Sequence, residues 1–317
     1  MTSNTTTQQR LYRGLRLIRR MEEVIADIYP SDKIKSPVHL SIGQEAVAVG
    51  VCDPLRDTDI VSGTYRSHAS YIAKGGDLKG MMAELFGKAT GVAGGKAGSM
   101  HLIDMAHNIL GSSAVVGTTT PIALGYAFAQ KQRGNDNVVA AFFGDGATEE
   151  GGFAESLNFA ALKKLPVLFI CENNQFAIHQ PLSKRWATTQ LCERVETYGI
   201  PTQRIADSNV EAIQAATIDA LARIRAGDGP SFIECVTYRW REHVGPGEDY
   251  EDGYRDRAAL DEWRDKDEMA RLGALIDPVT RKNIDAAIEA EITEAVAFAE
   301  DSPFPDHLEL YTNVFAN

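Results

Sequence analysis

The sequence predicts an α/β protein with a mostly parallel central sheet and helices on both faces. Three apolar runs carry this prediction, at residues 138–143, 167–172 and 230–239. Helical patterns separate them, at 149–164, where acidic residues are expected in the first turn, and at 209–226. Strands without polar alternation need apolar cover on both faces, which is typical of parallel sheets.

Helical segments are also predicted at both ends of the chain. Apolar residues recur at helical spacing over about residues 8–29, and a short apolar helix is expected at 43–51. The tail is predicted to be helical at about 259–272 and again at about 278–300. We therefore expect one α/β domain (1–317) with an N-terminal helical extension (about 1–50) and a C-terminal helical tail (about 255–317).

The stretch between the first helices and the first strand has a different character. Residues 53–119 are rich in glycine and histidine and show few long periodic patterns, a profile that is typical of binding loops. A helix is expected next, over 122–131, with Pro121 in its first turn.

Composition argues against several classes of partner. The chain has 32 Lys and Arg against 44 Asp and Glu, a net charge of −12, which disfavours nucleic acid or an anionic membrane as the main partner. No apolar run reaches the length of a membrane span. The four cysteines show neither CxxC nor zinc spacing, and the N-terminus has no secretory apolar region, so we expect a cytoplasmic enzyme.

Polar residues follow two neighbouring strands of the predicted sheet. Asp145, between two glycines, comes directly after the first apolar run, and Asn173 and Asn174 follow the second. The carboxyl ends of parallel strands meet at one edge, where the intervening helix also begins with its positive end. One carboxylate and one amide oxygen suit Mg²⁺, which takes its remaining ligands from phosphate and water. The sequence therefore predicts a magnesium–diphosphate site.

The segment 144–178 also carries a family resemblance. It reads GDGATEEGGFAESLNFAALKKLPVLFICENNQFAI, and GDG followed by CENNQFAI resembles the thiamine diphosphate motif. The longer text resembles the α subunit of the decarboxylating first component of 2-oxoacid and acetoin dehydrogenase complexes. Six further segments resemble that family in its order: SIGQEAVAVG (41–50), TYRSH (64–68), GGKAGSMHL (94–102), VVGTTTPIALGYAFA (115–129), GPSFIECVTYR (229–239) and SPFPDHLELYTNVFA (302–316).

The resemblance implies a role for particular residues. Mg²⁺ would be bound by Asp145, the side chain of Asn174 and the backbone carbonyl of Phe176. His243 would lie near the diphosphate and the reacting carbonyl, where acid–base or orienting work is expected. The remaining cofactor contacts would come from Tyr65, Arg66, Gly146 and Ala147 at the diphosphate, from the backbone of Ala114 and Val116 at the aminopyrimidine, and from Ile178 as an apolar wedge.

The resemblance also implies partners. The glutamate that thiamine chemistry requires at N1′ is supplied in this family by a β subunit, so an α2β2 heterotetramer is expected, with a lipoyl acyltransferase as acyl acceptor. The loop 241–251 departs from the family's Gly-His-Ser pattern, with Glu242 before His243 and Val244 after it. The choice between a 2-oxoacid and acetoin as substrate therefore stays open, as do the roles of His101 and His68.

Three alternatives are weighed against this interpretation. The first is a thiamine-dependent lyase or synthase that uses the same α/β pair without an acyl-transfer complex. The second is a nucleotide-binding module, which is disfavoured because Ala97 stands where a P-loop needs Ser or Thr. The third is a non-catalytic regulatory homologue, which the intact predicted site disfavours. The sequence contains no G-x-S-x-G, which argues against an α/β-hydrolase.

Overall fold

A parallel sheet of six strands forms the centre of the computed structural model, which describes residues 2–312 and 314, with side chains from residue 7 onward. The strand order is β2-β1-β3-β4-β8-β7, and every neighbouring pair is parallel. A separate antiparallel hairpin, β5–β6, follows β4. The strands are β1 (Ile60–Ser62), β2 (Ile109–Gly111), β3 (Val139–Gly144), β4 (Val167–Asn173), β5 (Phe176–Ala177), β6 (Gln180–Pro181), β7 (Thr202–Ile205) and β8 (Ser231–Val236).

Helices cover both faces of the sheet, as predicted. Successive side chains of a strand point to opposite faces, and in β3 Ala140 and Phe142 enter one apolar cluster while Ala141 and Phe143 enter the other. α1, α2 and α8 pack on the first face, and α5, α6 and α7 on the second. The helices are α1 (Thr2–Ile28), α2 (Glu45–Cys52), α3 (His68–Ala73), α4 (Leu78–Leu85), α5 (Thr119–Gln132), α6 (Gly151–Lys163), α7 (Leu191–Glu196), α8 (Val210–Arg225), α9 (Arg257–Arg264), α10 (Glu268–Leu275) and α11 (Pro278–Asp301).

The connections reverse direction in the middle of the sheet. From β1 the chain moves outward to β2, whereas from β3 it moves the other way to β4. Adjacent strands whose connections leave in opposite directions open a crevice at their carboxyl ends, and ligands bind there in open α/β sheets. The expected position of the site is therefore the edge beyond β1, β3 and β4.

Several sequence expectations need correction. Residues 53–119 do contain regular elements, namely β1, β2, α3 and α4; the strands have only three residues each, too few to give a pattern. The helix expected at 259–272 is two helices, because Asp267 caps a new N-terminus by accepting a hydrogen bond from the Met269 amide. The edge strand β7, with its polar residues, was missed.

Two boundaries near the site also differ from expectation. The strand expected at 230–239 ends at Val236, so that the residues after it form a loop. The helix expected at 149–164 begins at Gly151, because Glu150 has an extended backbone and a 3-10 turn precedes it. The acidic residues therefore lie before the first turn of α6. In the tail motif, residues 313, 315 and 316 lie outside the described residues, as do Met1 and Asn317 at the ends of the predicted domain.

The glycine-rich loop 91–98 is anchored by one buried carboxylate. Oε1 of Glu84 accepts hydrogen bonds from the amides of Ala97 (2.6 Å) and Gly98 (3.0 Å). Oε2 accepts from the amides of Ala93 and Gly95, both at 2.9 Å. Glu84 is fully buried. The loop is thus a folded part of the domain, because its backbone donors replace the water that the carboxylate would otherwise need.

Replacing Glu84 with alanine should lower the free energy of unfolding by at least about 3 kcal/mol, since four backbone amides lose a charged acceptor at once. Denaturant unfolding measures this, and limited proteolysis should show new cleavage within 91–98. The exposed Glu294 of α11, which pairs with Lys79 of α4, is the matched control; Glu294→Ala should change stability by less than about 0.5 kcal/mol. Equal effects of the two substitutions would contradict the anchoring role.

No helix in the described part of the chain is both long enough and apolar enough to cross a bilayer.

Candidate functional site

A cavity of about 300 Å³ opens at the sheet edge where the connections reverse. Its walls come from the turns after β1, β3 and β4, from the β5–β6 hairpin and from the loop after β8. Two predicted site residues are absent from its lining: Ala114 lies between the lining residues Ser113 and Val115, and Asp145 lies beneath the surface. The predicted site residues that line the cavity are Tyr65, Arg66, Val116, Gly146, Ala147, Asn174, Phe176, Ile178 and His243.

Asp145 is a fully buried carboxylate with only part of its hydrogen-bonding capacity used. Its Oδ1 has no hydrogen-bond partner, and its Oδ2 forms an ion pair with Arg185. Burial raises the pKa of Asp145, and the guanidinium of Arg185 opposes that shift. A buried carboxylate oxygen without a partner costs free energy unless a ligand binds to it.

The turn after β4 presents the side-chain amide of Asn174 to the cavity at the same edge of the sheet. Oδ1 of Asn174 accepts a hydrogen bond from the Phe176 amide (3.1 Å), and Nδ2 donates to Oε1 of Gln44 (3.0 Å), which orients the side chain. A Cβ on Gly146 would come within 3.0 Å of Cβ of Ala177, so this position is tight for any residue larger than glycine. The backbone of the GDG turn and the hairpin thus lie in close contact.

These donors fit a magnesium ion. The set is one carboxylate with a free oxygen, one side-chain amide oxygen and the Phe176 carbonyl, all hard oxygen ligands of the kind that Mg²⁺ prefers when phosphate completes its shell. Two of the oxygens have protein partners in this structure, since Oδ2 of Asp145 bonds Arg185 and Oδ1 of Asn174 bonds a backbone amide.

Arg66 is held at the cavity wall by backbone carbonyls. Its guanidinium donates to the carbonyl oxygens of Leu40 (2.6 Å) and His243 (3.0 Å). Burial and the nearby Arg239 lower the pKa of Arg66 to about 10, which leaves it charged at neutral pH. Because a guanidinium has five N–H donors, others stay available to an anion in the cavity.

His243 belongs to a cluster of three aromatic rings. Its ring centre lies 5.7 Å from that of Tyr65 and 5.2 Å from that of His39, and His39 lies 4.5 Å from Tyr65. Two backbone hydrogen bonds create the cluster, from Trp240 N to Ile42 O (2.9 Å) and from Gly245 N to Val38 O (2.8 Å). These bonds tie the loop after β8 to the segment that precedes α2.

Sequence reasoning missed His39. It was among the histidines without an assigned role, although it stands just before the quoted segment SIGQEAVAVG. Gln44, within that segment, was missed as the partner of Asn174, and Glu172 as a lining residue at the end of β4. Burial raises the pKa of Glu172 to about 7. Proximity to a family-like motif was the only available signal for all three.

Both clustered histidines are neutral at physiological pH. Burial lowers the pKa of His39 and of His243 to about 3, and the positive charge of Arg66 adds to each shift. A neutral imidazole beside a guanidinium can accept a proton or a hydrogen bond. This electrostatic state suits the orienting part of the role predicted for His243, since a pKa of about 3 lies far from the neutral pH at which an acid–base group works best.

The same shifts predict that acid destabilises the apo chain. The unfolded histidines bind protons below about pH 6.5 and the folded ones only near 3. The stabilising contribution is therefore present above pH 6.5 and is lost as the pH falls from 6.5 toward 3. Urea unfolding between pH 7.5 and 5 measures the free energy of unfolding. This free energy should depend less steeply on pH in the variant His39→Asn/His243→Asn than in wild type. The exposed control His307→Asn should not change the slope.

Ile178 adopts a backbone conformation that is unusual for a β-branched residue. Its φ is +54°, in the left-handed region. Arg239, which is 1% exposed, donates to the Ile178 carbonyl (3.1 Å) and to Oδ2 of Asp249 (3.0 Å). Asp249 also accepts from Nε of Arg255 at 2.7 Å. This buried network joins the hairpin turn to the loop 241–251, so the departure from the family pattern occurs in an ordered loop.

The two histidines left open by the sequence lie away from the cavity lining. His68 is fully buried, with Nδ1 2.9 Å from Oε2 of Glu22 and Nε2 2.8 Å from Oγ of Ser99. It therefore links α1 to the 3-10 turn after the loop 91–98. His101 is exposed on that turn.

The fold and this crevice define the protein as an α/β protein with a cavity at the switch point of a parallel sheet. The profile of the family described as Dehydrogenase E1 component matches residues 13–307, and the chain belongs to this family. The family resemblance seen in the sequence is thereby confirmed.

Relatives are similar over almost the whole chain. The α subunit of acetoin:2,6-dichlorophenolindophenol oxidoreductase from Bacillus subtilis (strain 168) is 38% identical over 312 residues, covering 97% of this chain and 93% of that protein. The α subunit of the pyruvate dehydrogenase E1 component from Rhizobium meliloti (strain 1021) is 37% identical, covering 96% and 88%. The chloroplastic α-3 subunit of the pyruvate dehydrogenase E1 component from Arabidopsis thaliana is also 37% identical, covering 97% of this chain and 74% of that protein.

Proposed function

We propose that this chain is the α subunit of a thiamine diphosphate-dependent dehydrogenase that acts on a 2-oxoacid or on acetoin. The observation that carries the proposal is the buried carboxylate of Asp145 at the switch point, with one oxygen lacking a partner, below a cavity that Asn174 and Phe176 line. Family membership and the names of the relatives support the reaction class.

Thiamine diphosphate, when bound, would supply a nucleophilic carbon for the substrate carbonyl and a cationic ring that can take up the electron pair of the breaking carbon–carbon bond. Asp145, Asn174 and the Phe176 carbonyl would hold Mg²⁺. The amides of Gly146 and Ala147, which begin a 3-10 turn, would donate to phosphate oxygens.

The remaining residues of the cavity would bind and orient. Arg66 would place its charge beside the diphosphate, with Tyr65 next to it. Ala114 and Val116 would present backbone groups to the aminopyrimidine, and Ile178 would form an apolar wall. His243, neutral because it is buried near Arg66, would accept a hydrogen bond or a proton at the substrate oxygen.

We further propose a β subunit as partner in an α2β2 heterotetramer. Exposed apolar side chains near the cavity support an interface there: Val115 is 62% exposed, Val116 43% and Ile178 55%, and Val244 follows His243 at 45%. A lipoyl acyltransferase as acyl acceptor and a cytoplasmic location complete the proposal. The cysteine spacing supports that location, since no zinc or CxxC pattern occurs.

Co-expression with the β subunit and a substrate panel test this function. Pyruvate, branched-chain 2-oxoacids and acetoin would be offered with thiamine diphosphate, Mg²⁺ and dichlorophenolindophenol as electron acceptor. We expect dye reduction with at least one of them, and acetyl transfer to added lipoyl domain if a multienzyme complex is the natural setting. Formation of a coupled carbon–carbon product without dye reduction would favour a lyase or synthase.

A further inference from the structure

Arg185 lies against the predicted metal-binding carboxylate. Its guanidinium forms ion pairs with both Asp145 and Glu149, and its side chain is only 7% exposed. Nε donates to the Gln180 carbonyl (3.1 Å), which fixes the side chain against the β5–β6 hairpin. The neighbouring Trp186 donates its indole N–H to the same Glu149 carboxylate (2.9 Å). Arg185 is thus the cation that balances Asp145 in this structure.

A divalent metal and this guanidinium would compete for the same carboxylate, the guanidinium at Oδ2 and the metal at the unpartnered Oδ1. Asp145 is fully buried, and an uncompensated buried carboxylate is costly, so an apo protein gains from a protein cation at this position. A metal ion bound to Asp145 supplies that compensation itself. It would also repel a guanidinium in contact with the same carboxylate.

We propose that Arg185 is a displaceable cation that neutralises Asp145 until Mg²⁺ binds, which couples metal binding to a movement of the Arg185 side chain away from Asp145. This inference rests on the proposed function, because it takes Asp145 as a ligand of Mg²⁺. Glu149, whose side chain is 36% exposed, retains the guanidinium when Asp145 is released. The displacement changes the surroundings of Trp186, because both residues share the Glu149 carboxylate.

Occupation of Asp145 by Arg185 lowers the apparent affinity for the metal. The measured dissociation constant equals the intrinsic constant divided by the fraction of molecules in which Asp145 is free. If that fraction is about one tenth, removing the guanidinium tightens metal binding about tenfold. A side chain that only supports the fold has no reason to weaken metal binding.

The test is a calorimetric Mg²⁺ titration of the α/β complex with thiamine diphosphate present. Arg185→Gln removes the charge and should bind Mg²⁺ about tenfold more tightly than wild type. Arg185→Lys keeps the charge but cannot span both carboxylates as a fork does, so its affinity should fall between the two. The control is Lys184→Gln, an equal charge change on the exposed neighbouring residue, which should bind as wild type does.

Fluorescence gives a second readout that does not depend on turnover. Mg²⁺ should change the emission of wild type, the change should be lost in Trp186→Phe, and it should be smaller in Arg185→Gln, where no guanidinium is displaced. If wild type binds Mg²⁺ and the folded Arg185 variants bind it no more tightly than wild type does, this inference is overturned, whereas the proposed function is not. Failure of wild type to bind Mg²⁺ and thiamine diphosphate would overturn the proposed function.

Discussion

Replacing Asp145 with asparagine should weaken binding of magnesium and thiamine diphosphate to the α/β complex by about 100-fold or more. Asparagine keeps the shape and one oxygen but removes the only charged oxygen ligand in the proposed metal site. A 100-fold loss corresponds to about 2.7 kcal/mol, a modest figure for one charged ligand of a divalent ion. Calorimetry with both cofactor components measures the effect directly.

Two controls separate the metal from other causes. Asp136→Asn makes the same chemical change before the opposite end of β3, where Asp136 pairs with Arg56 on the surface, and should leave cofactor binding unchanged. Asp145→Asn also leaves Arg185 without its buried partner, so the double variant Asp145→Asn/Arg185→Gln is needed. The double variant should remain defective. Cofactor affinity near that of wild type in Asp145→Asn would refute the site assignment.

The isolated α chain should exchange the C2 proton of thiamine diphosphate at least about 100-fold more slowly than the α/β complex. In the proposed site, this chain provides the metal and diphosphate side through Asp145 and Asn174. The group that must activate the aminopyrimidine is expected from the β subunit, and general acid–base groups contribute rate factors of this size. Hydrogen–deuterium exchange followed by NMR measures the rate for α alone and for the α/β mixture.

A carboxylate within this chain is the competing source of that activation. Glu150 lines the cavity, and its Cγ lies 2.9 Å from the position that a Cβ on Gly117 would occupy, next to the predicted aminopyrimidine contact Val116. Rapid exchange by α alone would refute the divided site, and loss of that exchange in Glu150→Gln would identify the source. An unrelated soluble protein in place of the β subunit should restore neither binding nor exchange.

Local patterns were sufficient for the strands β3, β4 and β8 and for the residues that follow them. Apolar runs without alternation predicted parallel strands covered on both faces, and β3 and β4 have that environment. Because parallel strands end at one edge, the placement of Asp145 and Asn174 near each other followed from strand order alone. Boundaries were less accurate where a single side chain decides them, as with the cap at Asp267.

Contacts between loops could not be predicted in this way. His39 meets His243 because backbone hydrogen bonds join two segments about 200 residues apart in the chain. Glu84 organises the loop 91–98 by accepting from its backbone amides, and a composition rich in glycine does not show where those amides point. Such contacts have no periodicity, since they depend on the path of the backbone in three dimensions.

The sequence by itself determined three strands of the sheet, its two apolar faces and the polar residues that follow β3 and β4, because apolar runs and the residues after them are local properties. Only the tertiary structure decided the protonation and pairing of the site. His39 and His243 are neutral because folding buries them beside Arg66, and Asp145 has Arg185 as its partner because the hairpin exit folds back over it. Charge and burial at a point depend on every segment that packs there, and those segments are distant in sequence.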